Sequence, residues 1–448
     1  MRLAAITLLT TLLAAAWAAP ASAERHTYTL RYGPVTMGAY NVKFPKPMVQ
    51  TPGVTGDIVG MSVRLVDSRG RAVTIRDVML HHVVFMRRRE LQHRTRCEGV
   101  HQEAFYGTGE ENQELRLPRG YGYPITAGDR WRMHTMLMSH SLRVRRVYVQ
   151  YRVTVATGEH LTPVRPFWVR AGGCRDVTYP VVGDGGPGST DIEDSDWQVP
   201  VTGRIVAVGG HLHGGAKDMW LSQPSCEDRK LLDTAPRYGM PDHLYYRARP
   251  ILHEPGPIET RYFLSRTGIP VRRGERLHIT GAYDNSMPHP RVMAIMHVYI
   301  APGRAPKRRC APLPADRREV VRHRRVRTEP PAIKVPINEF DADGHTRPIL
   351  EPPWPVKKVA DGATIHLRNF RFTPVHVQIA AGDTLNFSFD DRARHNLTFA
   401  NGPRVVRGPT TNNGERWPWT FTTPGRYELF CYLHPVTMHE VVEVVPLD

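Results

Sequence analysis

Near the end of the chain the run "FCYLHPVTMHE", Phe430 to Glu440, places a cysteine, two histidines and a methionine between Cys431 and His439. Thiolate, imidazole and thioether are the donors of a mononuclear electron-transfer copper. Such a site needs two imidazoles and a thiolate in a trigonal plane, with a weak axial methionine. The second imidazole has to come from an earlier loop, and His395 in "RARHNLTF" follows the strand-like "GDTLNFSFDD". Cys431 ends the strand-like "RYELF", and His434 and Met438 follow in the same short loop; His439 competes with Met438 for the axial position. Three further clusters lie upstream. In "MLHHVVFM", His81 and His82 are adjacent. Neighbours on a strand point to opposite faces, so the two can share a metal only where the strand is twisted or bulged. In "VGGHLHGGAKDM", His211 and His213 stand two apart, which puts both imidazoles on one face of a strand. In "RVMAIMHVYIA", Met293 and Met296 sit on a predicted strand, where methionine is more often core than ligand.

The elements that must position these groups read as strands throughout. "MSVRLVDS" and "RVRRVYVQYRVTV" alternate or run apolar, with β-branched residues and Gly, Asp and Pro breaks. "RIVAVGGHLH", "RLHITGAYD" and "RVMAIMHVYIA" continue the pattern, and after residue 355 come "TIHLRNFRF", "HVQIAAGDTLNFSF" and "EVVEVVP". No long amphipathic helix is read. The segment from 303 to about 355 is rich in Pro, Arg and charge and reads as a linker. The expected organisation is all-β: a leader over 1–23, two jelly-roll-like sandwiches over 24–156 and 157–305, a linker over 306–355, and a Greek-key sandwich over 356–448.

The leader expectation rests on Arg2, an apolar run, and the small-residue ending Ala21-Ser22-Ala23, so the chain is expected to be secreted. No later segment is long and apolar enough to span a bilayer. The formal net charge of +17 is mostly arginine spread along the chain and densest in the linker. It reads as a solvated basic surface, and no nucleic-acid motif accompanies it. The five cysteines are Cys97, Cys174, Cys226, Cys310 and Cys431; with Cys431 as a copper ligand, four remain for two disulfides with three possible pairings. No Ser-His-Asp order, zinc-protease helix or phosphate loop is present.

Residues 356–448 resemble a cupredoxin domain of the plastocyanin type, through "AAGDTLNF", "HNLTF" and the Cys-x-x-His-Pro loop. The resemblance implies a type 1 copper held by His395, Cys431 and His434, with Met438 axial, although Met438 lies seven residues after the cysteine where the family places six or eight. The upstream order of His-His, His-x-His and a late methionine resembles the copper type II, ascorbate-dependent monooxygenases, the family of peptidylglycine α-hydroxylating and dopamine β-monooxygenases. This second resemblance spans about residues 30–305. "LRLPRGYGYPITAGDRWRMHTMLMSH" is similar to the family segment that carries the third histidine, which is His140 in this alignment, with His134 the competitor. It implies two type 2 coppers, one on His81, His82 and His140 for electron storage, and one on His211, His213 and Met293 where oxygen meets substrate. It also implies a disulfide between Cys174 and Cys310, leaving Cys97 with Cys226. Two departures keep the family's peptide substrate from being carried over: Gly209 stands where peptide-processing members have Arg, and Ala294-Ile295-Met296-His297 lacks their Asn and Tyr. His297 is a candidate neighbour of the second site.

The expected protein is a copper monooxygenase-like oxidoreductase whose cupredoxin tail passes electrons to the core. Its substrate would be a small molecule or peptide, and its donor a small reductant or redox protein. Tethering raises the effective concentration of the donor domain. A non-catalytic copper-binding or electron-carrier protein on the same scaffold is the alternative.

Overall fold

The structure is a computed structural model. It describes residues 23–38, 41–75, 77–88, 102–139, 143–173, 177–183, 185–238, 256–286, 289–304, 310–320, 338–340, 346–348, 355–390, 392–431, 433–434 and 438–447. The expected leader, apart from Ala23, lies outside the described residues, as do Cys97, Cys174 and His140. The described chain is strand and loop apart from one short 3-10 turn at Pro224–Cys226, as the alternating patterns require. Arg145–Thr157 is typical: Val147, Val149, Tyr151, Val153 and Val155 point inward, with exposed or half-exposed residues between them. Burying each such valine contributes roughly 1.5–3 kcal/mol before the entropy of ordering is set against it.

The first sandwich pairs two sheets. One runs Glu24–Met37, Arg145–Thr157, Gly56–Val66, Tyr121–Ile125, Thr162–Pro163; the other runs Val42–Lys43, Trp131–Ser139, Val78–Arg88, Gln102–Gly109. The second sandwich sets Arg165–Arg170, Ala294–Pro302, Gly203–Leu212, Tyr262–Val271 and Arg318–Val320 against Thr190–Gln198, Arg276–Asp284, Ala216–Gln223 and Arg229–Asp233. A two-stranded ribbon, Tyr179–Val181 with His289–Val292, stands beside it. The third has a sheet ordered Lys357–Lys358, His376–Ala380, His439–Val445, Gly425–Phe430, His395–Asn401, Arg407–Thr411, facing Arg371–Thr373, Thr364–Arg368, Thr384–Phe389 and Glu415–Thr420.

Residues 310–320 of the expected linker are part of the second sandwich. Arg318–Val320 adds an edge strand to Tyr262–Val271, and the Asp316 carboxylate accepts from Ser265 Oγ and from the N–H groups of Arg266 and Thr267. The disulfide of this region joins Cys226 to Cys310, with Cα atoms 5.4 Å apart, so the expected Cys174–Cys310 and Cys97–Cys226 pairings are both overturned. The reason is the fold-back of 310–320, which carries Cys310 to the short turn at Pro224–Cys226.

The first and second sandwiches share a core. Val206, Ala207, Tyr262, Tyr299 and Ala301 of the second pack into the cluster built on Phe85, Phe105 and Trp131 of the first. Tyr299 Oη donates to the Phe105 carbonyl (3.0 Å) and Tyr262 Oη to that of Arg116 (3.1 Å). The third sandwich joins the first through a small apolar cluster of Val42, Met79, Met138 and Phe430. Phe430 is the residue next to Cys431.

Candidate metal centres

In the first sandwich, the strand Val78–Arg88 carries His81 and His82. Its register against Trp131–Ser139 shifts between Leu80 and His82. This bulge lets adjacent imidazoles serve one site, the condition that the strand pattern alone imposes. In the second sandwich, Gly203–Leu212 carries His211, and His213 follows its end; their ring centroids lie 5.2 Å apart. The packed interface brings the two pairs together. The His81 and His213 rings are 4.7 Å apart, those of His82 and His211 6.4 Å, and those of His81 and His82 5.3 Å. One ring nitrogen each from His81, His82 and His213 lies within 4.8 Å of the others. Among the described residues His213 thus converges with His81 and His82 rather than standing apart with His211, whose ring lies beside them, while His140 of the expected first site lies outside the described residues. Gly109 makes room for the His211 ring, because a Cβ there would stand 2.3 Å from it.

The polar groups behind the cluster fix which nitrogens face it. His81 Nδ1 bonds Glu110 Oε1 at 3.0 Å, and both side chains are buried. His211 Nδ1 bonds Glu111 Oε2 at 3.1 Å, and Glu111 Oε1 accepts from the Gly109 N–H at 2.8 Å. His213 Nδ1 donates to the Arg291 carbonyl at 2.6 Å. The remaining Nε2 atoms of His211 and His213, and Nδ1 of His82, are buried with no hydrogen-bond partner among the described residues. Burial, and then the charge His81 and His211 would carry, holds His82 and His213 well below the usual histidine range. For His211 burial acts the same way, but the Glu111 carboxylate outweighs it and raises the proton affinity. Orphaned ring nitrogens on His82, His211 and His213, with carboxylates and a carbonyl holding the Nδ1 atoms of His81, His211 and His213, fit in type the donors and outer shell that a transition metal uses.

Met293 lies in the break between His289–Val292 and Ala294–Pro302 and is half-buried. Its carbonyl accepts from Tyr283 Oη (2.5 Å), which in turn accepts from the His213 N–H (3.2 Å), so its main chain is one hydroxyl away from His213. Met296 is core. His134 is half-buried on Trp131–Ser139, and burial with nearby Lys46 and Arg132 lowers it to about 4; it is not one of the three converging residues. At Gly209 a Cβ would meet Gln113 Oε1 at 2.1 Å and the Tyr262 ring at 2.8 Å, so a larger residue there requires both side chains to shift.

His297 is buried with its ring 4.3 Å from Trp168, and burial, with a smaller effect of His211, lowers it to about 3. An unfolded chain binds this proton at the ordinary value, so between about pH 6.5 and 3 the unfolded state holds more protons and stability falls with pH. His297→Phe keeps the ring stack. In metal-free protein it is expected to be roughly 3 kcal/mol more favourable at about pH 4.5 than at neutral pH, read from urea unfolding at the two values.

The second centre lies in the third sandwich. His395 and Cys431 are fully buried, His434 is half-buried, and their donor atoms converge. Nδ1 of His395 and Nδ1 of His434 are 3.2 Å apart, and Cys431 Sγ is 3.5 Å from the latter. The Asn396 N–H donates to Cys431 Sγ at 3.3 Å. Burial pushes the thiol up to about 11, against the N–H groups of Asn396, Leu433 and His434. The loop closes on itself: His434 N–H donates to the Cys431 carbonyl, Met438 N–H to that of His434, and Cys431 N–H to that of Met438. Phe430 pairs with His439 across the sheet, so Cys431 stands opposite Met438. Opposite residues share a face. Met438 is accordingly buried in the same core as Cys431, whereas His439 lies on the face of Phe430. Cys431 is free, as expected of a thiol kept for metal. Two imidazoles and a thiol that converge, with Met438 buried in the same core, fit a type 1 copper.

The sequence reading missed Glu110, Glu111, Tyr283 and the Arg291 carbonyl. The adjacent acidic pair in "GTGEENQ", directly after a strand, was the available signal for the first two.

No family model matches the chain. Over 91 residues, 19% of this chain and 76% of the relative, it is 29% identical to amicyanin-alpha of Methylorubrum extorquens. Over 105 residues, 22% of this chain and 79% of the relative, it is 29% identical to amicyanin of Paracoccus denitrificans. Among solved structures, a purple cupredoxin from Nitrosopumilus maritimus matches at 25% identity over 18% of this chain and 99% of that one, with a TM-score of 0.17. The Cu(I) form of an amicyanin variant matches at 28% identity over 19% and 86%, with a TM-score of 0.18. A part of the chain the size of the third sandwich is thus similar to the amicyanins, and the larger part of the chain lies outside these similarities.

Proposed function

We propose that this is an exported copper oxidoreductase of monooxygenase-like type, in which the third sandwich delivers electrons to a histidine centre between the first two. His395, Cys431 and His434, together with Met438, would hold a type 1 copper. His81, His82 and His213 would hold a second copper, with His211 beside them. Copper at the second centre supplies one-electron redox chemistry and reactivity with O2 toward a small-molecule or peptide substrate. The chain's own part is positioning. Glu110, Glu111 and the Arg291 carbonyl hold the Nδ1 atoms of His81, His211 and His213, which leaves their Nε2 atoms for the metal. Burial removes competing water. The observation that carries the reading is the convergence of imidazoles from two sandwiches with orphaned inward nitrogens.

The same convergence favours the second reading, a closed electron-carrier centre without a substrate, because His213 is gathered with His81 and His82 rather than standing apart from them. Copper analysis with oxygen uptake decides between them. Two coppers per chain, one accounting for an intense visible band, with oxygen consumed in proportion to added ascorbate or another small reductant, is the expected result. Stoichiometric reduction without oxygen uptake selects the carrier. A single copper, all of it in the visible band, overturns the histidine centre.

A further inference from the structure

The third sandwich is held against the others at particular residues. Arg291, on His289–Val292 of the second sandwich, donates through Nη2 to the Gly408 carbonyl at 3.1 Å. Arg407 of the third sandwich reaches back, with Nη2 donating to Thr178 Oγ1 at 3.1 Å. Phe430 fills the apolar seat of Val42, Met79 and Met138 on the first sandwich.

One of these contacts lies on a bonded path between the two centres. At the Cys431 end, Asn396 donates its N–H to the sulfur, and its Nδ2 reaches Thr410 Oγ1 at 3.0 Å and the Pro409 carbonyl at 3.5 Å. Pro409 is joined covalently to Gly408, whose carbonyl is bound by the Arg291 guanidinium. At the other end, the carbonyl of the same Arg291 holds His213 Nδ1 at 2.6 Å. Electron tunnelling decays more slowly along covalent and hydrogen bonds than across gaps, so such a chain couples its ends more strongly than loose packing does.

Resting on the proposed function, we infer that Arg291 is the bridge for electrons between the Cys431 centre and the His213 centre. One electron crosses: the Cys431 centre is oxidised by one unit and the His213 centre reduced by one. No bond breaks and no proton is transferred. The first electron enters from an external one-electron reductant. Arg407 does not lie on the path and serves as a clamp.

The test uses copper-loaded full-length protein reduced by a pulse-generated organic radical. The visible band of the Cys431 centre should bleach and then recover in a first-order phase independent of protein concentration. In Arg291→Met, which removes the guanidinium and keeps the carbonyl, the recovery is expected to slow severalfold, while Arg407→Met leaves it near the wild-type rate. Small-angle scattering of the metal-free variants, which involves no copper, should match the wild type, because the Phe430 seat keeps the third sandwich docked. An unchanged recovery in Arg291→Met, or equal slowing in both variants, overturns the bridge and leaves the proposed function standing; the first outcome would point to passage through Phe430. Absence of any concentration-independent recovery in the wild type overturns both.

Discussion

Replacing His213 by alanine is expected to reduce the bound copper from two per chain to one, abolish reductant-dependent oxygen uptake, and leave the visible band unchanged. His213 is the only contribution of the second sandwich to the three converging donor residues. Without it, His81 and His82 keep two nitrogens on one bulged strand, and His211, which Glu111 holds through Nδ1, is not among the converging donors. The fold should tolerate the change, since the His213 N–H bond to Tyr283 belongs to the main chain and persists. Glu110→Gln tests the same centre from behind. It keeps the shape of the side chain and removes the charge that orients His81, and should weaken copper binding by about 10- to 100-fold. Copper titration followed by equilibrium dialysis reads both. Retention of two coppers in His213→Ala would show that the cluster is not one site across the interface. Loss of the visible band would refute the independence of the two centres.

How much of this was readable beforehand depended on how local each feature is. The alternation in Arg145–Thr157 states its own burial pattern, so the all-β class was legible. His211 and His213 announce a shared face by spacing alone. The convergence of His395, Cys431 and His434 was legible because two of the three fall in one loop, and strand pairing places His395 beside it. The shared histidine centre was not legible, for three physical reasons. The bulge at His81 depends on register against a strand some fifty residues away. The meeting of His82 with His211 depends on two sandwiches packing through Phe105 and Tyr299. The space for the His211 ring depends on the missing side chain of Gly109. The disulfide failed in the same way, because Cys310 is placed by a segment that looked like linker but adds a strand through Arg318–Val320.

The methionine that stood one residue off the usual spacing has a simple account in the register. Spacing along the loop counts residues, but the face of a side chain is set by pairing, and Met438 lies opposite Cys431 while His439 lies opposite Phe430. Three substitutions should therefore behave differently. Cys431→Ser is expected to eliminate the intense visible band, because that absorption belongs to the copper–thiolate bond and no other cysteine of the described chain is free. Met438→Leu should keep the band and shift the reduction potential, since the axial thioether tunes the site without building its plane. His439→Ala should change neither band nor potential, as its side chain stands on the other face of the sheet. Optical spectra and redox titration of the three variants, each checked for the thermal unfolding of the third sandwich, decide the matter. A band that survives Cys431→Ser removes the type 1 assignment altogether. A potential that moves with His439 but not with Met438 would reverse the axial assignment and mean that the loop carries copper in a register different from the one its backbone hydrogen bonds describe.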